Sequence, residues 1–409
     1  MCSSDLQARP WAIGALAHHA PVLVVTATGR EAEDLTAELK AMMGDKVAWL
    51  PSWETLPHER LSPGVDIVGK RAQVLNHLGD LKVVVAAARA FCQPVLKDAE
   101  GRAPLTLKEG AEFDFSALTT ELVFRAYKHV DMVAKRGEFA TRGGILDIFP
   151  TTLDYPVRVE FWGDEVSDIR QFSVADQRTI PEITIKSIEI FPARELLITE
   201  EVASRAESLI SKHPGNPTLV EMLSRIADSQ DVDGMEALIP ALTDTPMVPM
   251  LELMPENTHV LVIAPEKVRR RIADLEATDA EFLMAGWEAA AMGADGPVAA
   301  EGLDLEASSY RSYESLEVSA SKSDVRWWTF APPGMFEASE EATLPLDFEA
   351  GPAPRGELPK IDAMMAQLLA HTTGGGRAAF IAPTQGAIKR RVDRFAEKGI
   401  PTHVATPGW

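Results

Sequence analysis

The spacing closest to a phosphate-binding loop lies at residues 64–71, which read Gly-Val-Asp-Ile-Val-Gly-Lys-Arg. A P-loop ends in Gly-Lys followed by Ser or Thr, because that hydroxyl holds magnesium while flexible backbone amides surround the phosphate. Here Arg71 takes the place of the hydroxyl, and Pro63 rather than a buried strand precedes the motif. The stretch therefore predicts a helix with Asp66 at its N-cap, and no phosphate site.

The other polar groups that could bind a metal or a nucleotide lack the partners that such chemistry needs. Residues 26–31 follow the first buried strand but contain no lysine, and the histidine pair at 18–19 has no third ligand at metal spacing. The Asp-Glu pair at 164–165 falls in a predicted hairpin turn, and the His-Glu-Arg segment at 58–60 predicts an exposed loop. The sequence therefore predicts no catalytic residue, no bound cofactor and no metal for this chain.

The elements that would position any site alternate between strands and helices. Val22 opens a continuous apolar run to Thr26, which is typical of a strand buried on both faces. Thr28 and Glu31 stand in capping-box spacing at the start of a helix that we expect to reach Met43. Further strands are predicted at 47–50, 82–87 and 259–264, further helices at 66–78 and 265–275, and a third strand–helix unit at 378–398. This order predicts an α/β fold with a parallel, doubly wound sheet.

Residues 127–179 show a different sequence pattern, with short alternating runs separated by turns. This pattern predicts an antiparallel sheet inserted between the strand–helix units. Gly143 and Gly144 allow a tight bend, and a second turn at 163–164 separates two short strands. The strand at 157–162 alternates strictly, so its apolar residues share one face and its other residues share the opposite face, namely Val157, Val159 and Phe161 against Arg158, Glu160 and Trp162.

The face that carries Arg158 and Trp162 has more than one interpretation. It is either an ordinary solvated strand surface or a protein interface, since Arg and Trp are enriched among binding hot spots. Partial burial of Trp162 under a neighbouring loop is an arrangement that the pattern leaves open.

Length, composition and net charge limit the classes of protein to which the chain can belong. The chain has 409 residues and is 46% hydrophobic, which corresponds to about two to four globular domains. Its net charge of −21 argues against a large duplex-binding surface, although residues 355–409 hold eight Lys and Arg against four Asp and Glu. Two cysteines, Cys2 and Cys92, exclude a disulfide framework and fit a reducing cytoplasm. No apolar run approaches the roughly 20 residues that span a bilayer, and both ends of the chain predict a fragment of a longer protein.

Residues 127–179 closely resemble bacterial transcription-repair coupling factors and, more distantly, the excision-repair protein UvrB. The resemblance takes in Pro-Ser-Trp-Glu-Thr-Leu-Pro-His-Glu-Arg-Leu-Ser-Pro at 51–63, Arg-Glu-Leu-Leu at 194–197 and Gly-Met-Glu-Ala at 234–237. It therefore covers most of the chain. The segment 51–63 looks like the coupling factors and lacks the long damage-probing hairpin expected of UvrB.

The resemblance implies a UvrB-like parallel-sheet domain, akin to a P-loop NTPase whose phosphate loop has degenerated, split by an inserted α+β domain. The two halves of the split domain would span 1–109 and 198–330, and the inserted, UvrA-binding domain would span 110–197. An acidic linker with prolines is expected at 331–354, followed by a truncated third α/β domain at 355–409.

In this family the inserted domain recruits UvrA, and the resemblance assigns the contact to Arg142, Arg158 and Trp162. Trp162 stands where another aromatic residue is usual. The resemblance also implies that a C-terminal region of the full-length protein masks this surface until RNA polymerase stalled at a DNA lesion is engaged. We therefore expect a cytoplasmic adaptor in transcription-coupled nucleotide excision repair, with no membrane contact.

The resemblance further implies that an ATP-dependent DNA translocase, which displaces the polymerase, and a polymerase-binding domain follow Trp409. ATP and magnesium would bind only there, so we expect no enzymatic activity and at most weak DNA binding from this chain. The alternative function is that of a UvrB-type damage-binding ATPase and helicase subunit, which the missing Gly-Lys-Ser/Thr sequence disfavours. A purely structural role, in which the chain clamps the motor at rest, is compatible with the adaptor.

Overall fold

The structure is a computed structural model that describes residues 3–98, 102–213, 216–291, 303, 305–330, 358–376, 378 and 384–404. Its strands are β1 (Val22–Thr26), β2 (Val47–Leu50), β3 (Val83–Ala87), β4 (Val95–Leu96), β5 (Leu105–Lys108), β6 (Lys128–His129), β7 (Glu138–Arg142), β8 (Ile145–Ile148), β9 (Val157–Trp162), β10 (Glu165–Phe172), β11 (Thr179–Thr184), β12 (Ser187–Ile190), β13 (Met247–Val248), β14 (His259–Ile263) and β15 (Arg326–Phe330). Its helices are α1 (Ser3–Ala17), α2 (Gly29–Met43), α3 (Val65–Asn76), α4 (Ala88–Cys92), α5 (Phe115–Phe124), α6 (Glu200–Lys212), α7 (Pro217–Ala227), α8 (Ile239–Leu242), α9 (Pro265–Ala291), α10 (Tyr313–Lys322), α11 (Leu358–Thr373) and α12 (Gln385–Glu397). The predicted linker at 331–354 and, apart from residue 378, the predicted strand at 378–382 lie outside the described residues.

Five parallel strands form the sheet that the strand–helix alternation predicts, in the order β15-β14-β1-β3-β2. Every residue of β1, β3 and β14 is buried, because helices cover both faces of the sheet. Helices α3, α4, α9 and α10 contribute to the core on one side, and α1 and α2 contribute to the core on the other. The predicted α/β fold with a doubly wound parallel sheet is confirmed.

Helix α2 begins with the capping box predicted from Thr28 and Glu31. The Glu31 amide donates to the Thr28 hydroxyl oxygen at 3.3 Å, and the Thr28 amide donates to the Glu31 carboxylate at 3.1 Å. In phosphate-binding α/β proteins the N-terminus of such a helix holds the phosphate. Here a carboxylate of the chain lies beside these amides and would repel an anion.

Helix α3 covers the stretch with P-loop-like spacing, so the predicted helix is confirmed, but the predicted cap is wrong. Gly64 is the N-cap, and Asp66 lies inside the first turn with its carboxylate 3.5 Å from the Lys70 ammonium group. Gly69 packs against Thr151, where an added Cβ would lie 2.0 Å from the threonine hydroxyl oxygen. This glycine therefore permits close packing of a helix rather than the curvature of a phosphate loop.

The stretch between the two parts of the parallel sheet forms a second, six-stranded sheet in the order β11-β10-β9-β8-β7-β6. Its strand pairs are antiparallel except for β6 and β7. Helix α5 packs on one face, where Leu118 and Leu122 join the same core as Val159 of β9. Strands β5 and β12 pair with Leu105 opposite Ile190, which brings the two ends of the stretch together.

Gly143 and Gly144 form the predicted bend between β7 and β8. Gly143 has a φ of 59°, a conformation that is strained for residues with a side chain. Gly144 accepts a hydrogen bond from the Phe161 amide at 2.8 Å, and an added Cβ would lie 2.9 Å from the Phe161 carbonyl oxygen. The bend thus lets β8 approach β9 closely.

His58 contradicts the prediction of an exposed loop at 58–60. The residue is 2% exposed, and its Nε2 lies 2.9 Å from the Ser309 hydroxyl oxygen and 3.8 Å from the Asp279 carboxylate. Burial lowers the pKa of His58 to about 4 and raises the pKa of Asp279 to about 6. Segment 51–63 is irregular as predicted, but at His58 it packs against α9 and the chain that precedes α10.

The described residues include neither a membrane-spanning helix nor a metal-binding cluster. None of the described helices combines the length and the apolar character that crossing a bilayer requires. Within the same residues, no three His, Cys, Asp or Glu side chains gather in a way that could hold a metal ion.

Candidate protein-binding face

Strand β9 shows the alternation that its sequence predicts. Val157, Val159 and Phe161 are buried in the core beneath α5, whereas Arg158 and Glu160 are half-buried on the other face. Trp162 ends the strand and is 84% exposed, more than any other large hydrophobic residue in the described part of the chain. No loop among the described residues covers Trp162, so its partial burial under a neighbouring loop, the third arrangement left open by the sequence, is not observed there.

Strand pairing brings the three predicted residues onto one face of the sheet. Residues directly opposite each other in neighbouring strands point to the same side. Glu160 is opposite Ile145, and Ile145 is opposite Arg142, so Arg142 lies on the same side as Arg158 and Trp162. We call this surface the Trp162 face and define it by Arg142, Ile145, Asp147, Arg158, Glu160 and Trp162.

Arg158 is held in a fixed orientation on the Trp162 face. Its Nε and Nη2 donate to the two carboxylate oxygens of Asp147 at 2.7 and 2.8 Å, and its Cζ lies 5.1 Å from the centre of the Phe172 ring. The hydrogen bonds to Asp147 raise the pKa of the guanidinium, so it stays charged at every physiological pH. The bidentate pair makes Arg158 a rigid donor rather than a mobile surface charge.

Arg142 is exposed at the end of β7, next to the Gly143 bend. Its Nη2 donates to the backbone carbonyl of Asp131 at 2.8 Å, which orients the guanidinium. Trp162 occupies the corresponding end of β9, opposite Glu165 and next to the turn at 163–164. Both side chains therefore stand at hairpin ends, where the backbone is fixed and the side chain is open to solvent.

Sequence reasoning missed Asp147, which is buried and opposite Arg158. The period of two within β8 places Asp147 on the same side as Ile145, but the sequence gives no register between β8 and β9. In the structure β8 and β9 pair so that Asp147 lies directly across from Arg158.

The Trp162 face offers directional donors and a large aromatic surface. Its charged side chains are two arginines, a half-buried glutamate and a buried aspartate, and it contains no nucleophile. Arg and Trp are the residues that most often dominate protein–protein binding energy, because each combines a large contact area with hydrogen-bond donors. This composition suits recognition of another protein better than catalysis.

A polar cluster joins the end of the inserted stretch to distant parts of the chain. Arg194 follows β12, and its Nη1 lies 3.3 Å from the carboxylate of the buried Glu236. Ser62 donates to the same carboxylate at 2.5 Å. The segments 51–63, 194–197 and 234–237, which carry the resemblance outside the inserted stretch, therefore meet in space.

Comparisons with known proteins agree with this arrangement. Residues 105–196 match the family described as the UvrB interaction domain, and these bounds agree with the pairing of β5 and β12. Over 98% of its length the chain is 46% identical to the transcription-repair-coupling factors of Mycobacterium bovis and Mycobacterium tuberculosis, covering 33% of each. It is 29% identical to the Escherichia coli transcription-repair-coupling factor over 59% of its length, covering 21% of that protein. The chain thus spans about one third of the length of the mycobacterial proteins.

Proposed function

Because the chain carries a UvrB interaction domain within a sequence that matches transcription-repair-coupling factors over 98% of its length, we propose that it recruits UvrA through the Trp162 face. Arg142, Arg158 and Trp162 are the proposed contact residues. The chain acts as a binding platform and carries out no chemical step of its own.

The observation that carries this proposal is the exposure of Trp162 on the same face of the sheet as two oriented arginines. Leaving a tryptophan 84% exposed at the end of a well-packed strand gains nothing for folding, since its apolar surface stays in water. Burying that surface against a partner would be favourable by about 2 kcal/mol or more. The two arginines on the same face supply the directional contacts that make such burial specific.

In a full-length protein, we propose, this region brings UvrA to RNA polymerase stalled at a DNA lesion. Polymerase binding and an ATP-dependent DNA translocase belong to parts of the protein that this chain does not match. Regulation by a C-terminal region that masks the Trp162 face, and a site of action in the cytoplasm, are parts of the same proposal. The proposed division of the chain is 1–109 and 198–330 for the split domain, 110–197 for the UvrA-binding domain, 331–354 for a linker and 355–409 for a third domain.

A UvrB-type ATPase finds no support in the described residues. The first strand–helix turn of the parallel sheet is closed by the Thr28–Glu31 capping box, and residues 65–71, the greater part of the P-loop-like stretch, lie within helix α3. Titration of the chain with a fluorescent ATP analogue tests whether it binds nucleotide. We expect no saturable binding in the micromolar range, and saturable binding would restore the ATPase alternative.

The proposal is tested by calorimetric titration of purified UvrA into this chain and into an Arg158→Ala/Trp162→Ala double variant. Each truncation is expected to cost about 2 kcal/mol of binding free energy, or roughly 30-fold in Kd. Circular dichroism and thermal unfolding of both proteins check that the variant remains folded. Equal affinities of the two folded proteins would contradict the proposed site, and no binding by the folded wild type would contradict the proposed partner.

A further inference from the structure

Asp147 lies under the Trp162 face and fixes the guanidinium of Arg158 through two hydrogen bonds of 2.7 and 2.8 Å. A bidentate pair sets the plane of the guanidinium as well as its position, because two parallel N–H groups must meet two oxygens. Asp147 itself is 7% exposed, so its carboxylate has little surface to offer a partner. Asp147 would therefore affect partner binding only by positioning Arg158.

Phe172 restrains the same guanidinium from a second direction. The ring is fully buried in a small cluster with Val133, Ala140 and Phe149, and its centre lies 5.1 Å from Cζ of Arg158. A ring held in this way supports the cation without moving. Within the described residues Nη1 of Arg158 donates no hydrogen bond, so Nη1 is the end of the side chain that stays available to a partner.

The charges around Arg158 explain why a fixed carboxylate is needed. Arg158 is directly opposite Arg170 on β10, and like charges across a strand pair repel each other. The Asp147 carboxylate offsets the charge of Arg158, and Asp168 forms an ion pair with Arg170. Without the Asp147 carboxylate, Arg158 would turn from Arg170 towards Glu160, two residues along its own strand and the next carboxylate that attracts it.

We propose that Asp147 is a positioning residue for partner binding, which holds Nε and Nη2 of Arg158 and so leaves Nη1 to a partner at the Trp162 face. This inference rests on the proposed function of the Trp162 face. It adds that recognition at Arg158 depends on the direction of its donor, since the charge of the guanidinium is largely offset by Asp147. The partner group that meets Nη1 is accordingly a hydrogen-bond acceptor at a fixed position.

A double-mutant cycle on UvrA binding tests the inference. Asp147→Asn removes the charge and one acceptor with little change in shape, and we expect it to weaken binding about tenfold. In the Arg158→Ala background the same change is expected to alter Kd by less than about twofold, because no guanidinium remains to be positioned. An unchanged affinity of Asp147→Asn would overturn the inference, and so would an equal loss in both backgrounds.

Glu121→Gln provides the matched control, since Glu121 pairs with Arg125 at 2.7 Å on α5, which covers the opposite face of the sheet. This variant is expected to bind UvrA like the wild type. Failure of the proposed function is recognised separately, because Trp162→Ala would then leave UvrA binding unchanged. Loss of binding in Trp162→Ala with full binding in Asp147→Asn would overturn only the positioning role.

A measurement on the wild-type protein covers the case in which Asp147→Asn does not fold. The Nε–H NMR signal of Arg158 is expected to exchange slowly with water and to show restricted rotation about the Nε–Cζ bond, because Nε and Nη2 are both bonded to Asp147. A freely rotating, rapidly exchanging guanidinium would overturn the inference.

Discussion

Glu195 and Arg71 form a salt bridge of 2.6 Å although they are 124 residues apart in the sequence. The same Glu195 oxygen accepts a hydrogen bond from the Trp53 indole at 2.9 Å, and Arg71 also donates to the Pro51 carbonyl at 2.8 Å. Arg71 is 0% exposed. This cluster joins helix α3, the irregular segment at 51–63 and the end of the inserted stretch. It therefore helps to fix the position of the antiparallel sheet relative to the parallel one.

Removal of the Glu195 carboxylate is therefore expected to destabilise the fold. Glu195→Ala leaves the Arg71 charge buried without a counter-charge, which costs about 3 kcal/mol or more of unfolding free energy. Chemical denaturation measures the loss. The control is Glu201→Ala, whose ion pair with Arg205 is largely exposed, and which is expected to cost less than about 1 kcal/mol. Equal losses in the two variants would contradict the assigned role of the buried pair.

Gly69 offers a test of helix packing in the P-loop-like stretch. Gly69→Ala places a Cβ within 2.0 Å of the Thr151 hydroxyl oxygen, so we expect it to lower the unfolding free energy by about 1–3 kcal/mol. At Gly79 an added Cβ meets no atom within 4 Å, so Gly79→Ala is the matched control and is expected to be neutral or slightly stabilising. A stabilised Gly69→Ala variant would show that α3 does not pack against Thr151 as described.

The buried pair of His58 and Asp279 predicts opposite pH effects in two single variants. The pKa of Asp279 is raised from 3.8 to about 6, so between these values the folded protein binds a proton that the unfolded chain releases, and a falling pH stabilises the fold. The pKa of His58 is lowered from 6.5 to about 4, so in that window the unfolded chain binds the proton, and a falling pH destabilises the fold. Between about pH 4 and 6 the two effects oppose each other in the wild type.

We therefore expect His58→Gln to gain stability relative to the wild type as the pH falls from 6 to 4, and Asp279→Asn to lose it. The difference in slope is at most about 1.4 kcal/mol per pH unit for each variant. Urea denaturation at a series of pH values measures both slopes against that of the wild type. Identical slopes for all three proteins would contradict the burial of this pair.

The features that local sequence could predict are those set by neighbouring residues. The alternation in β9, the capping box of Thr28 and Glu31, and the continuous apolar run of β1 each follow from backbone periodicity or from contacts within four residues. For the same reason Arg158 and Trp162 could be placed on one face. The inclusion of Arg142 came from the family resemblance, and the strand register then put it on that face.

The features that sequence could not predict depend on partners far along the chain. His58 is buried because Ser309, 251 residues away, lies beside it, and nothing near position 58 indicates that contact. Asp66 has the residue type of an N-cap, yet the N-cap is Gly64, two residues earlier, and the helix begins at Val65. The partnership of Asp147 and Arg158 likewise depends on the register between β8 and β9, which the residues near either position do not determine.

We propose that the exposed Trp162 side chain binds UvrA, and the most direct test is the Kd of UvrA for Trp162→Ala. Because this side chain is 84% exposed, the variant should fold like the wild type, so a loss of affinity reports on binding alone. Val123→Ala, at an exposed position on α5 away from the Trp162 face, is the matched control. We predict a loss of roughly 30-fold for Trp162→Ala and none for Val123→Ala. Equal Kd values for wild type, Trp162→Ala and Val123→Ala would contradict the claim.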